Sequence, residues 1–554
     1  MRPRPAHRPN RPSAPATRRA VLAVALLLTA AAPLSCARAR HSPWWDSVRW
    51  LADDARRGRE TGSPDYLVAA RWVAGEFAAA GARPAGTDSF FQHVRFVARR
   101  NLEPQCFVAL ARDGHADTLK LGDDAILSSG IDAADSVDAG AVFVGYGLEL
   151  PEAGLHDLDG LDLRGKVAVI LRGAPTSVPA TIASHAQSSG ERWARLREAG
   201  AIGIITIPNP KGQSLPWDRI RNGRSKEGLA LADTTLNERR GQRFGLFVNP
   251  ARAARLFEGS PARWPDLVRL AQAGSPLPRF ALPWRVKARI RTAAREVESP
   301  NVVGIIEGSD PSLRGESIIL SAHLDHLGVG APVGRDSIYN GAMDNASGVA
   351  TLIEIARAIH ALPRPPRRSI VLLALTGEEE GLLGSRAFAA APPRAVGRIV
   401  ADLNLDMFLP IVPLRAVVAY GIDESDLGDW FRAVADSAHV AIRPDPEPRQ
   451  NYFIRSDQYN LVRAGVPSLF VEFGRTGDST LDRRFKDWMR NRYHAPSDDV
   501  RQPVDLEAAD AFNRLLLRFC LDVADRPDRP HWKPGSFFRR YEKPPAETAA
   551  ADRP

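Results

Sequence analysis

The sequence predicts an α/β protein: a mixed, mostly parallel sheet sandwiched by helices, with a β-rich segment inserted into it. Three observations point there. From residue 301 onward, continuous apolar strands alternate with amphipathic helices, the pattern of a sheet buried on both faces. Residues 130–290 have a different texture, with short β-branched strands and many loops. The chain has 554 residues, 44% hydrophobic and 25% charged, which is enough for two or more units with cores of their own. That apolar fraction excludes wholesale disorder, and the 43 Gly and 44 Pro show no collagen-like period.

Taken in order, residues 1–19 are basic and Pro-rich and lead into an apolar run at 20–33. That run is too short for a bilayer core of ~30 Å at about 1.5 Å per residue. Residues 1–40 therefore read as an export signal, with an Ala-x-Ala cleavage pattern at 37–39 and a resemblance to a twin-arginine leader at Arg18-Arg19. Leu34-Ser35-Cys36 partly resembles a lipoprotein box, which makes Cys36 an alternative lipid-anchor position. Periplasm, cell surface or medium is the expected location. No later run reaches 18 uninterrupted apolar residues, so no membrane span is expected. The net charge of +9 rests largely on eight Arg in residues 1–40, where no acid occurs. The body is near neutral, and a nucleic-acid partner is not expected.

Helical spacing over 44–82 and short strands over 86–127 form the first part of the main domain, 41–128. The insert spans 129–290, with strands at 141–145, 166–171, 202–207, 244–248 and 285–291 and helices near 191–199 and 251–256. The main domain resumes over 291–526. Its strands are expected at 302–306, 317–323, 369–375 and 399–405, and its helices at 348–361, 381–390 and 506–523. The tail, 527–554, is rich in Pro, Arg and Ala and is expected to be disordered. Cys106 and Cys520 lack any metal-like spacing and read as free thiols, with a disulfide as the alternative. A metal site must then use His and carboxylates.

Five segments of the main domain supply such groups at strand ends, where α/β proteins bind ligands. An apolar strand delivers His323, and Asp325 two residues on is placed to hold the other imidazole nitrogen. Asp344 stands at the entrance of a helix, where it could simply cap, or could bridge two cations with its two oxygens. The strand before Glu378-Glu379-Glu380 is buried, so adjacent like charges there call for a cation or a raised pKa. Another strand reaches Asp406, and a turn presents His494.

These motifs are H-x-D, D-N-A-S-G, E-E-x-G-L-x-G-S, N-x-D-M and Y-H-x-x-x-D, in that order. Together they resemble the co-catalytic di-zinc exopeptidases, which include bacterial leucyl aminopeptidases, aminopeptidase Y and the glutamate carboxypeptidase group. The likeness covers about residues 300–525 and extends more loosely over 51–86. The strings V-F-V-G-Y-G at 142–147 and G-K-V-A-V-I-L-R-G at 165–173 are similar to the protease-associated domain inserted in many members.

The resemblance implies a zinc exopeptidase fold and two Zn²⁺ ions, with Mn or Co also compatible with such ligands. Asp344 would bridge the ions, with His494 and Glu379 completing one and His323 and Asp406 the other. Glu378 would be the general base and Asp325 the orienter of His323. A cis peptide is implied at Asp344–Asn345, and His326 reads as a neighbour of the site without a ligand role. Gln458 stands where a His is frequent, Tyr452 is displaced from the position of an oxyanion donor, and Met343 replaces a frequent Asp. Neither those departures nor the motifs decide which end of a peptide is recognised. The expected activity is a secreted aminopeptidase acting on peptide substrates, with a di-zinc carboxypeptidase or dipeptidase as the alternative and a non-catalytic receptor-like homologue as the remote one.

Overall fold

A computed structural model describes residues 42–210, 216–450 and 452–543. The proposed export signal and Cys36 lie outside them, as do residues 544–554. The main sheet has ten strands, and its centre is formed by Ser369–Leu375, Glu316–His323, Arg398–Asn404 and Ser468–Phe473, which are parallel neighbours in that order. Antiparallel strands flank this centre. Thr292–Ile306, Phe91–Asn101 and Gly228–Leu231 lie on one side, and Ala416–Tyr420 on the other. The sheet is thus mixed, as expected, with its parallel part in the middle.

Period-two alternation explains why both faces are covered. Ile318, Leu320, Ala322, Ile370, Leu372 and Ala374 join the core under helices Pro43–Leu51, Pro64–Ala79, Ser347–His360, Asp426–Ser437 and Leu506–Asp525. Ile319, Val371, Leu373 and Leu375 face the other way, toward Phe388 and Leu461 of helices Leu383–Ala390 and Gln458–Arg463. The Ser369–Leu375 strand is buried along its whole length, which is why it reads as an unbroken apolar run.

A second, eight-stranded sheet has its own core around Val108, Phe143, Val169, Ile205, Leu246 and Val286. It starts at Phe107, ahead of the expected boundary at 129, because Phe107–Arg112 pairs with Phe280–Arg289. The strand Gly228–Leu231, expected within the insert, pairs with the main sheet instead. The expected disorder of the tail also fails for residues 527–543. Trp532 and Phe538 are buried with Tyr420, Phe453 and Phe470, and the Trp532 indole donates to the Gly465 carbonyl at 3.1 Å. Two buried aromatic side chains, Trp532 and Phe538, anchor a stretch whose Pro and Arg content reads as loose. Cys106 and Cys520 are free thiols. Among the described residues, no helix is long and apolar enough to cross a membrane.

Candidate metal centre

Three adjacent parallel strands end side by side, and this brings distant residues together. His323 closes Glu316–His323, Glu378 and Glu379 follow Ser369–Leu375, and Asp406 follows Arg398–Asn404. Asp344 enters from the turn before helix Ser347–His360, and His494 from the turn after helix Ser479–Asn491.

The two oxygens of Asp344 divide the site. Oδ1 lies 3.3 Å from His323 Nε2, which is itself 3.1 Å from Asp406 Oδ1. Oδ2 lies 3.3 Å from His494 Nε2, which is 3.2 Å from Glu379 Oε2. Two ligand clusters therefore share one carboxylate. All five expected ligands converge.

The turn carrying Asp344 is held from several sides. Its peptide to Asn345 is cis. Asn345 donates to the Leu405 carbonyl at 2.9 Å and accepts from the Gly348 amide at 3.0 Å. Asp498 accepts the amides of Met343 and Asp344, each at 3.0 Å. Gly341 has φ +60, and a Cβ there would fall 2.1 Å from the Asp344 carbonyl oxygen and 2.5 Å from the His326 ring. Only glycine fits. His494, Met407 and Leu382 also adopt positive φ, so three non-glycine residues in this sparsely populated conformation belong to or flank the site.

Asp325 orients His323, through a different group from the one expected. The His323 Nδ1 contact is the Asp325 backbone carbonyl at 3.0 Å. The Asp325 carboxylate instead accepts the amides of Glu378 and Glu379 at 3.2 and 3.3 Å and the Thr61 hydroxyl at 3.0 Å. The strand ends at His323, and beyond it the Asp325 carbonyl meets the imidazole while the carboxylate pins the Glu378–Glu379 loop.

His326 lies closer to the site than a mere neighbour. It is fully buried, with Nδ1 2.7 Å from Glu379 Oε1 and 3.9 Å from Asp344 Oδ2. His326 Nε2 has no hydrogen-bond partner. Gln458 is locked into structure, accepting from Asn404 at 2.8 Å and donating to the Phe453 carbonyl at 2.8 Å. Tyr452 turns its hydroxyl to Glu447 at 3.5 Å. Glu380, third in the acid run, accepts the Leu229 amide at 3.2 Å and is a structural link.

Sequence reasoning overlooked Arg59. It is fully buried and donates to the carbonyls of Leu51, Leu324, Asn340 and Gly341 at 2.7–3.0 Å, joining the His323 and Asp344 loops. Burial lowers its pKa to about 10 against the pull of Asp498, Asp325, Asp344 and Glu379.

The electrostatics ask for cations. Burial pushes Glu378 well above the usual carboxylate range, and Asp406, Glu379 and Asp457 push the same way against His323. Burial also raises Asp344, but the imidazoles of His326, His323 and His494 outweigh it and hold the carboxyl well below its ordinary value. Buried carboxylates and imidazoles with orphaned polar atoms fit divalent-cation ligation. Among the described residues, His323, Asp344 and Asp406 form one group that could hold a metal ion and His326, Asp344 and Glu379 another, so Asp344 belongs to both and His326, beside His494, stands within reach of the second.

Residues 301–520 match the model of Peptidase family M28. The chain is 27% identical over 290 residues to a probable glutamate carboxypeptidase, VP8, of Zea mays, covering 48% of this chain and 36% of that protein. It is 36% identical over 239 residues to the probable glutamate carboxypeptidase LAMP1 of Arabidopsis thaliana, covering 38% and 32% respectively. The chain thus spans about a third of the length of these relatives. An aminopeptidase from Aneurinibacillus sp. strain AM-1 shares the fold, with a TM-score of 0.52, 18% identity and coverage of 88% of this chain and 94% of that one. Residues 301–520, the stretch that matches the model of Peptidase family M28, carry all five converging side chains.

Proposed function

We propose that the protein is an exported, zinc-dependent exopeptidase, an aminopeptidase that removes N-terminal residues from peptides. The observation that carries this reading is the division of Asp344 between two ligand clusters, with the half-buried Glu378 beside them. His323, Asp344 and Asp406 would hold one ion, and Asp344, Glu379 and His494 the other. When bound, such an ion pair supplies Lewis acidity that polarises the scissile carbonyl and makes a water acidic enough to attack at neutral pH.

The chain's own residues do the rest. Glu378 takes the proton of the attacking water and passes it to the departing amine, a role suited to a carboxyl whose pKa burial raises. Asp325 fixes Glu378 and Glu379 through their amides, and its carbonyl sets the tautomer of His323. Asp498 and Arg59 hold the two ligand loops in register. The strings over 142–173 and the second sheet support reading the insert as a protease-associated domain.

The test combines elemental analysis of the purified protein with amino-acyl p-nitroanilides and N-blocked dipeptides. Two equivalents of zinc and turnover of the free-amine substrates are expected. Protein that binds no metal and gains no activity with it overturns the proposal. Turnover confined to N-blocked dipeptides moves the assignment to a carboxypeptidase.

A further inference from the structure

Two cavities adjoin the converging ligands. An arginine-lined one of about 480 Å³ opens onto Glu378 and Glu379. The other, of about 80 Å³, begins at Met407, the residue after Asp406, and has room for a single side chain. Leu409, Phe473, Phe485 and Met489 continue its apolar wall.

An acid stands in this apolar pocket. Glu472 is the one charged residue of strand Ser468–Phe473, whose other members are all buried and whose neighbour Arg398–Asn404 leads to Asp406. Its carboxylate accepts a hydrogen bond from the Tyr420 hydroxyl at 3.2 Å. Arg475, the only cation in the lining, is turned to Glu447 at 3.5 Å. Arg455 acts on Glu472 from a distance, since its guanidinium lies over the Tyr452 ring, 5.3 Å from the centroid. Among the described residues, no cation forms an ion pair with Glu472. Burial, and then the charge of Asp406, raise it well above the usual carboxylate range against the pull of Arg455.

A carboxylate withdrawn from water without a counter-charge is costly, and a cation entering the pocket removes that cost. Lys and Arg side chains have the complementary form, an apolar stem that can lie along such walls and a charged end. A neutral side chain would leave Glu472 unpaired, and an acidic one would add a like charge.

We propose that Glu472 selects a cationic N-terminal residue: the side chain of an N-terminal Lys or Arg lies along Met407 and Phe485 and pairs with the Glu472 carboxylate. The assignment rests on the exopeptidase reading, which puts the substrate's N-terminal residue at the ligand clusters.

The experiment uses the full chain loaded with zinc. Lysyl- and norleucyl-p-nitroanilide have side chains of nearly equal length that differ in the terminal cation, and glutamyl-p-nitroanilide carries the opposite charge. kcat/KM should be about tenfold or more higher for the lysyl than for the norleucyl substrate, the scale of a charged hydrogen bond, and lowest for the glutamyl one. Glu472→Gln should lower the lysyl-to-norleucyl ratio by about tenfold. Glu472→Asp keeps the charge but draws it back by one methylene, so it should shift the preference from lysyl toward the longer arginyl substrate, and it serves if Glu472→Gln folds poorly. A lysyl-to-norleucyl ratio near one in the natural chain, or preferences that neither variant moves, overturn the proposal.

Calorimetric titration with L-lysinol and L-norleucinol, which have no scissile bond, separates the pocket from the exopeptidase reading. Where no amino-acyl substrate turns over, lysinol binding that is tighter than norleucinol binding and weakens in Glu472→Gln keeps the cation pocket and removes the aminopeptidase. Where none turns over, equal binding, absent binding, or a difference that Glu472→Gln leaves unchanged removes the pocket.

Discussion

Glu378 is one carboxyl group among other acids, and its raised pKa follows from burial and from Asp406, Glu379 and Asp457 nearby. Glu378→Gln keeps the shape and removes the proton acceptor, so turnover should fall by about 10²–10⁴-fold while metal content stays intact. Asp344→Ala removes the carboxylate common to both clusters, and elemental analysis should show metal lost along with activity. His326→Ala tests a residue whose position the sequence undervalued. Its contact with Glu379 is of the kind that tunes a ligand from outside, so resistance to a chelator should drop by about 10–100-fold. At this scale the convergence of His323, Asp344, Glu379, Asp406 and His494 was legible because each stands beside a strand or helix end in a recognisable string. The group on Asp325 that meets His323 was not, because backbone direction at a strand end leaves no trace in residue type. Arg59 was equally hidden, since a lone arginine in a polar stretch normally reads as solvent-exposed.

Among the elements, the parallel centre of the sheet does the positioning, and two buried polar links show how. Arg59 ties the end of helix Pro43–Leu51 to the loops at Leu324 and at Asn340–Gly341. Arg59→Met would strand four carbonyls, and a denaturant titration should show a loss of about 3 kcal/mol or more. Asp402, on Arg398–Asn404, accepts from Ser321 of the neighbouring strand at 2.8 Å, and burial raises its pKa from 3.8 to about 8. Below pH 3.8 the group is neutral in both the folded and unfolded states and exerts no slope. As pH climbs toward about 8, the unfolded chain releases this proton while the fold retains it, so stability declines through that window. Asp402→Asn removes the slope. Its gain in unfolding midpoint over the natural chain should therefore be larger at about pH 8.5 than at about pH 5. The strands with continuous apolar runs were readable in advance. Ala416–Tyr420 and Ser468–Phe473 were passed over, being short segments enclosed by loop-like composition, although the second pairs directly with the Asp406 strand.

Across the whole molecule, residues 527–543 tie the two sheets' surroundings together. Trp532 and Phe538 complete an apolar cluster with Tyr420, Phe453, Tyr459 and Phe470, and Arg529 pairs with Glu316 at the start of the His323 strand. Phe537 packs against His185 of helix Ala180–Gln187, while Tyr459 accepts or donates a 2.7 Å hydrogen bond with the same imidazole. The segment thus braces residues of both sheets beside the arginine-lined cavity, of which Tyr459 is a wall. Composition pointed the other way, because Pro and Arg dominate the count while a few aromatics supply the burial. Ending the chain at residue 526 removes two buried aromatic side chains worth about 1.5–3 kcal/mol each. The truncated protein should melt at a lower temperature and be cleaved faster by trypsin near Arg455 and Arg463. Unchanged melting and cleavage would show that the segment merely rests on the surface.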